Sequence, residues 1–175
     1  LTVDSGEAAG PRPKDASAYF GPMIEDNGIV FPSTNFTKIN VRWRRQFVPY
    51  TSREPQGTVV VDASNHFLYV IFENQTALRY GVGVGRDGFR WYGRARIDRK
   101  QLWPRWNPPP AMRARNQDLP EFMKGGKDNP LGPRAMYLFR NGTDTGYRIH
   151  GTTEPWSIGT NASSGCIRML NEHVF

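Results

Sequence analysis

Cysteine occurs once, at Cys166, so no internal disulfide framework staples this chain. Histidine occurs at three places, His66, His150 and His173, too few and too scattered to suggest a metal cluster. No apolar run approaches the ~20 residues that a bilayer-spanning helix needs. The longest beside a candidate strand, Phe67-Leu68-Tyr69-Val70-Ile71-Phe72, falls far short, so no integral membrane segment is expected. The chain opens on Leu1 with neither Met nor a signal sequence and reads as a processed or trimmed form. What it does have is 175 residues of which 38% are hydrophobic, enough for one domain with a real core and too many for a disordered chain.

The formal net charge is +7. A basic surface favours polyanions, and nucleic acid, anionic lipid and an acidic cell wall all qualify. The clusters at 42–45, 94–100 and 113–115 read first as solvated faces of strands and loops. Trp103-Pro104-Arg105-Trp106 has the composition of a base-stacking element, but no RNA-binding module accompanies it, and no nucleic-acid partner is expected. Gly83-Val84-Gly85-Arg86-Asp87-Gly88 matches the G-x-G-x-x-G pattern of dinucleotide sites. That fingerprint needs a helix opening on its third glycine, and the strand-like Phe89-Arg90-Trp91-Tyr92 follows instead. The glycines read better as places of close backbone approach.

Residues 1–55 carry early Pro and Gly and no sustained period, and are expected to form an extended, partly docked N-terminal extension. From 56 to 175 the pattern sharpens into a second unit. β-Branched and aromatic runs bounded by turn residues predict strands at 58–62, 66–72, 78–84, 89–97, 135–139 and 147–150. Their short spacings imply antiparallel pairing. Residues 102–133 are expected to be mostly loop, flanking a cleft. Helix is expected at 120–124 and from 170 onward. The fold class is therefore mainly β, with a few short helices and long loops.

The segment with chemical content lies near the end. It runs Tyr147-Arg148-Ile149-His150-Gly151-Thr152, then Ser163-Ser164-Gly165-Cys166-Ile167-Arg168-Met169. A thiol at its ordinary pKa is mostly protonated near neutrality, and a nearby imidazole raises the thiolate fraction. Cys166 follows His150 by sixteen residues, a gap that suits a loop returning the thiol to the strand end. The backbone N–H groups of Gly165 and Cys166 could form an oxyanion hole, and Arg168 could meet a substrate carboxylate. A buried structural thiol beside a core histidine is the commoner arrangement for such residues taken alone. Three glycines and three small hydroxyl residues packed around the pair weigh against it.

These motifs resemble the L,D-transpeptidase catalytic domain, also called YkuD. That domain carries a His-Gly step and then a Ser/Thr-His-Gly-Cys turn continuing into Ile-Arg-Met. Gly57-Thr58-Val59-Val60-Val61-Asp62, Tyr80-Gly81-Val82-Gly83-Val84-Gly85 and Asn129-Pro130-Leu131-Gly132 extend the likeness over about 56–175. The resemblance implies a β-sandwich with a few short helices and an acyl transfer that needs no cofactor and no metal. Cys166 would be the nucleophile, His150 its base, and Gly151 the residue that orients the imidazole. Gly165, Ser164, Ser163 and Arg168 would serve the oxyanion and the substrate. The expected partners are bacterial peptidoglycan stem peptides, a tetrapeptide donor and a diamino-acid amine acceptor. The expected product is a 3→3 cross-link, with carbapenem capture by the same thiol and a location in the periplasm or cell envelope. Ser164 stands where the family commonly has His. Members also usually continue past this motif, so a shortened C-terminus is expected at Phe175.

Overall fold

The computed structural model describes residues 12–86 and 92–175. Two four-stranded sheets face each other. One has the order β3-β6-β5-β4, built from β3 (Gln46–Pro49), β4 (Val59–Asp62), β5 (Phe67–Ile71) and β6 (Thr76–Gly81). The other has the order β10-β9-β8-β7, built from β7 (Arg96–Leu102), β8 (Arg134–Arg140), β9 (Thr143–His150) and β10 (Ile167–Arg168). Leu68, Tyr80 and Val82 from the first side meet Leu138, Ile149 and Met169 from the second in one buried cluster. The molecule is thus a β-sandwich of the mainly β class.

The pleat decides which residues face that core. Along β9, Tyr147 and Ile149 point inward, so Arg148 and His150 occupy the opposite face. In β10, Ile167 packs against the core and Arg168 takes the other side. His150 and Arg168 stand in register, because β10 pairs parallel to β9 with Arg168 opposite His150.

Between residues 12 and 55 the chain is structured. β1 (Phe20–Asp26) and β2 (Ile29–Thr34) form a hairpin, and β3 closes the edge of the first sheet against β6. Asn27 and Gly28 both take positive φ, the conformation of a two-residue type I′ turn. Asn141-Gly142 repeats the device between β8 and β9.

Several expected elements move. β7 spans Arg96–Leu102 instead of 89–97. Its sequence is nearly all polar because it is an edge strand with one partner and an exposed outer face. The aromatic run that suggested the earlier boundary falls mainly on residues 87–91, outside the described residues. No helix forms at 120–124. Met123 instead exchanges two backbone hydrogen bonds with Trp106, both at 2.8 Å. The helix of this region, α1 (Pro110–Arg115), starts on Pro110, whose missing N–H costs nothing in a first turn. β6 stops at Gly81, and residues 82–85 run on beside the Cys166 loop through bridges to Arg168 and Ser163. A short terminal helix, α2 (Asn171–Val174), lies where helix was expected.

Two ionisable groups tie stability to pH. The His173 ring sits among Phe36 and Tyr80, and burial, helped by Arg45, pushes its pKa down to about 4. Below its ordinary value of 6.5 the unfolded chain takes up a proton that the folded chain refuses. Stability should therefore fall as pH drops from 6.5 towards 4, and His173→Phe should flatten that slope in melting curves. A second loss should appear below the ordinary carboxylate value. There the unfolded chain's Asp26 takes up a proton that the folded carboxyl, held at about 2 chiefly by hydrogen bonds from Arg134, refuses.

Candidate active site

The site is assembled around a corner of backbone at the end of β9. His150 is 4% exposed, and its Nδ1 lies 2.6 Å from the carbonyl oxygen of Gly151. A carbonyl only accepts, so Nδ1 carries the proton of this bond. The bond turns Nε2 away from Gly151. The Gly151 N–H donates to the carbonyl of Arg134 at 3.1 Å, and the Thr152 N–H donates to Asn171 Oδ1 at 2.8 Å. A Cβ on Gly151 would collide with Asn171 Oδ1 and stand 2.9 Å from Pro133 Cδ. Glycine is required there because the corner has no slack.

The Cys166 loop returns to this corner from the other sheet side. Its backbone hangs on the strand extension at 82–86. Gly159 N donates to Val82 O, Val84 N to Thr160 O, Ser163 N to Val84 O and Arg86 N to Ser163 O, each at 3.0 Å. Gly83 and Arg168 then exchange two bonds of 2.9 Å. A side chain on Gly83 would meet the Ser157 carbonyl at 2.9 Å, which accounts for the close glycine spacing without a nucleotide. Inside the loop, Ser163 Oγ donates to the Cys166 carbonyl at 2.5 Å and accepts from Gly165 N at 3.0 Å. Gly165 has φ of 125°, a conformation open to glycine and strained for other residues. Cys166 is partly exposed, and Met169 N secures the far side of the loop on the His150 carbonyl at 2.8 Å.

Several candidate residues are thus brought onto one corner. Arg168 is 2% exposed and donates from Nη1 to Glu154 Oε2 at 2.7 Å. A buried guanidinium needs a carboxylate close by, and Glu154 meets that need. Its charge is paired within the loop region. Ser163, 1% exposed, likewise bonds within the loop, and the Gly165 N–H points at its hydroxyl instead of outward. Glu154 and Asn171 were not singled out from the sequence. Glu154 had one signal, an acid between the His-Gly step and the Cys turn. Asn171 had none beyond its place at the start of the terminal helix.

A family model for the L,D-transpeptidase catalytic domain, YkuD, matches residues 56–175. This chain belongs to that family. Among its relatives, the probable L,D-transpeptidase ErfK/SrfK of Escherichia coli is 34% identical over 73% of this chain and 41% of its own length. The probable L,D-transpeptidase YbiS of the same organism is 32% identical over 68% of this chain and 39% of its own. The chain spans about two fifths of the length of these relatives. A solved structure described as a probable carnitine operon oxidoreductase caia from Brucella melitensis is also similar. It is 45% identical, with a TM-score of 0.59, covering 80% of this chain and 89% of that one. Among the described residues of this L,D-transpeptidase domain, no helix is long and apolar enough to cross a membrane.

Proposed function

We propose that this domain cross-links peptidoglycan by acyl transfer through a thioester on Cys166, with His150 as base. The observation that carries the reading is the His150 Nδ1–H bond to Gly151 O, in a ring two register positions from the thiol. It leaves Nε2 able to take a proton from Cys166 Sγ, since alternate residues of β10 and its lead-in share the His150 face. The thiolate attacks the carbonyl that joins the diamino acid at position three of a donor stem to D-alanine at position four. The C–N bond breaks, His150 returns the proton to the departing D-alanine amine, and a thioester remains. The side-chain amine of a second stem then attacks the thioester and gives its proton to His150. The thiol reforms and a 3→3 cross-link is left. Cys166 N–H is the donor best suited to the tetrahedral oxyanion, with Gly165 N–H joining if Ser163 Oγ releases it. Ser163, Arg168 and Glu154 hold the loop that presents the thiol. Such a reaction belongs in the periplasm or cell envelope, where the stems are.

The description of the Brucella protein as an oxidoreductase finds no matching feature among the described residues. Gly83 exchanges both backbone bonds with Arg168, and Val84 and Arg86 bridge Ser163 on either side of Gly85. The test uses tetrapeptide stems and mass spectrometry. Release of D-alanine with a 3→3 dimer is expected, while a tripeptide without dimer would make the domain a hydrolase. Cys166 should also be alkylated at pH 7 several-fold faster than a free cysteine peptide. An inert thiol and unchanged stems would defeat the reading.

A further inference from the structure

The β1–β2 hairpin lies wholly ahead of the segment matched to the family, yet both of its ends reach the residues that fix the His150 corner. At the tip of β1, Asp26 receives two parallel bonds from Arg134, Nη1 to Oδ2 at 2.6 Å and Nη2 to Oδ1 at 2.8 Å. Trp103 Nε1 adds a third, to Oδ2 at 2.8 Å. Both members of the ion pair are largely enclosed, with side chains 18% and 19% exposed. The Phe175 ring lies 4.6 Å from the guanidinium centre. Arg134 is the first residue of β8, and its carbonyl is the acceptor for Gly151 N–H. The last residue of β2 holds the other side. Thr34 donates from N and Oγ1 to the two carboxylate oxygens of Glu172, at 2.5 and 2.7 Å. The neighbour of Glu172, Asn171, accepts from Thr152 N.

We propose that this hairpin is a clamp that positions His150, with Asp26 acting through Arg134 and Thr34 acting through Glu172. The inference rests on the acyl-transfer reading above. Gly151 is gripped at its N–H by Arg134, and its carbonyl steers the imidazole. Asn171 holds the next peptide and also blocks the space beside the Gly151 Cα. A close-packed corner of this kind passes a displacement on and does not absorb it. A shift of Arg134 or Asn171 by a fraction of an ångström would turn the Gly151 carbonyl and, with it, the Nε2 lone pair. Misplacement of a catalytic group by about 1 Å can cost ~10²-fold in rate, so a partial misalignment is expected to cost about tenfold. Neither Asp26 nor Thr34 touches substrate in this scheme, and both are positioning residues.

A hairpin that merely covered apolar surface, as Phe31 does against Trp103, would add stability and leave the imidazole untouched. The two roles separate in the alkylation of Cys166, which reads thiol activation without any peptidoglycan substrate and is unambiguous because no other thiol exists. Second-order rates with iodoacetamide are measured from pH 5 to 9 on the intact chain. For Asp26→Asn the rate at pH 7 should fall about tenfold and the inflection should move towards that of a free cysteine, with the high-pH plateau kept. Asp26→Glu should recover part of the loss. Thr34→Val, a milder change, should move the profile in the same direction. Ile71→Val, a packing loss in the opposite sheet, should lower the melting temperature and leave the profile in place. If Asp26→Asn and Thr34→Val both melt lower but keep the wild-type profile, the clamp is overturned and the site reading stands. If wild-type Cys166 already titrates like a free cysteine, the site reading falls and takes the clamp with it.

Discussion

Cys166→Ala should abolish both cross-linking and any hydrolysis of tetrapeptide stems, to the detection limit of product analysis. No other side chain near the corner can form a thioester, and no acyl-enzyme mass should appear on incubation with a carbapenem. The fold should survive. Cys166 is partly exposed, and the loop around it is held by the backbone bonds of Gly159, Ser163 and Arg168 to the 82–86 strand. Truncating a fully buried large side chain costs ~2–5 kcal/mol, whereas removing one sulfur at a half-open position should cost far less. Circular dichroism melts should therefore nearly overlay those of the parent. A variant that melts much lower yet still makes 3→3 dimers would mean that Cys166 is a structural residue and that the proposed chemistry is wrong.

His150→Ala should lower the rate at neutral pH by ~10²–10⁴-fold, the usual worth of a positioned general base. The loss should shrink as pH rises towards ~8.5, where the thiolate forms without help. The substitution also leaves the Gly151 carbonyl without its 2.6 Å donor in a buried place. Some stability should go with it, on the order of 1–3 kcal/mol for an orphaned buried polar group. Rates must accordingly be compared per folded molecule. A pH profile parallel to that of the parent, merely scaled down, would argue that His150 holds the corner in shape without accepting the proton.

Alternating patterns made part of this architecture readable in advance. Residues 58–62, 66–72 and 147–150 carry β-branched and aromatic runs because one face of each packs into the sandwich. The strand at Arg96–Leu102 escaped notice because its arginines and lysine report an exposed edge, and exposure erases the alternation that marks a strand. The helix at Pro110–Arg115 was hidden by its own proline, which reads as a breaker but suits a first turn. The hairpin from Phe20 to Thr34 was legible in principle, since Asn27-Gly28 is a strong two-residue turn signal. Cys166 and His150 were singled out from spacing and motif. Their supports were not. Asp26 meets Arg134 across 108 positions, and Thr34 meets Glu172 across 138. No local period encodes partners so far apart, so the expected arm of residues 1–55 gave no hint of its reach to the corner.

The suspension of the Cys166 loop from the 82–86 strand has an evolutionary consequence. Nearly all the bonds that fix its path run between main-chain atoms, at Gly159, Thr160, Ser163 and Arg168. Main-chain donors and acceptors are the same whatever residue carries them. Loop side chains that take no part in its bonds can therefore drift while the thiol stays where it is, so long as Ser163, Arg168 and the glycine with positive φ are kept. The strand beneath has no such latitude. At Gly83, any added carbon would press on the Ser157 carbonyl. Natural variation should accordingly spare Gly83, which carries no chemistry of its own, as strictly as it spares Gly165 beside the thiol.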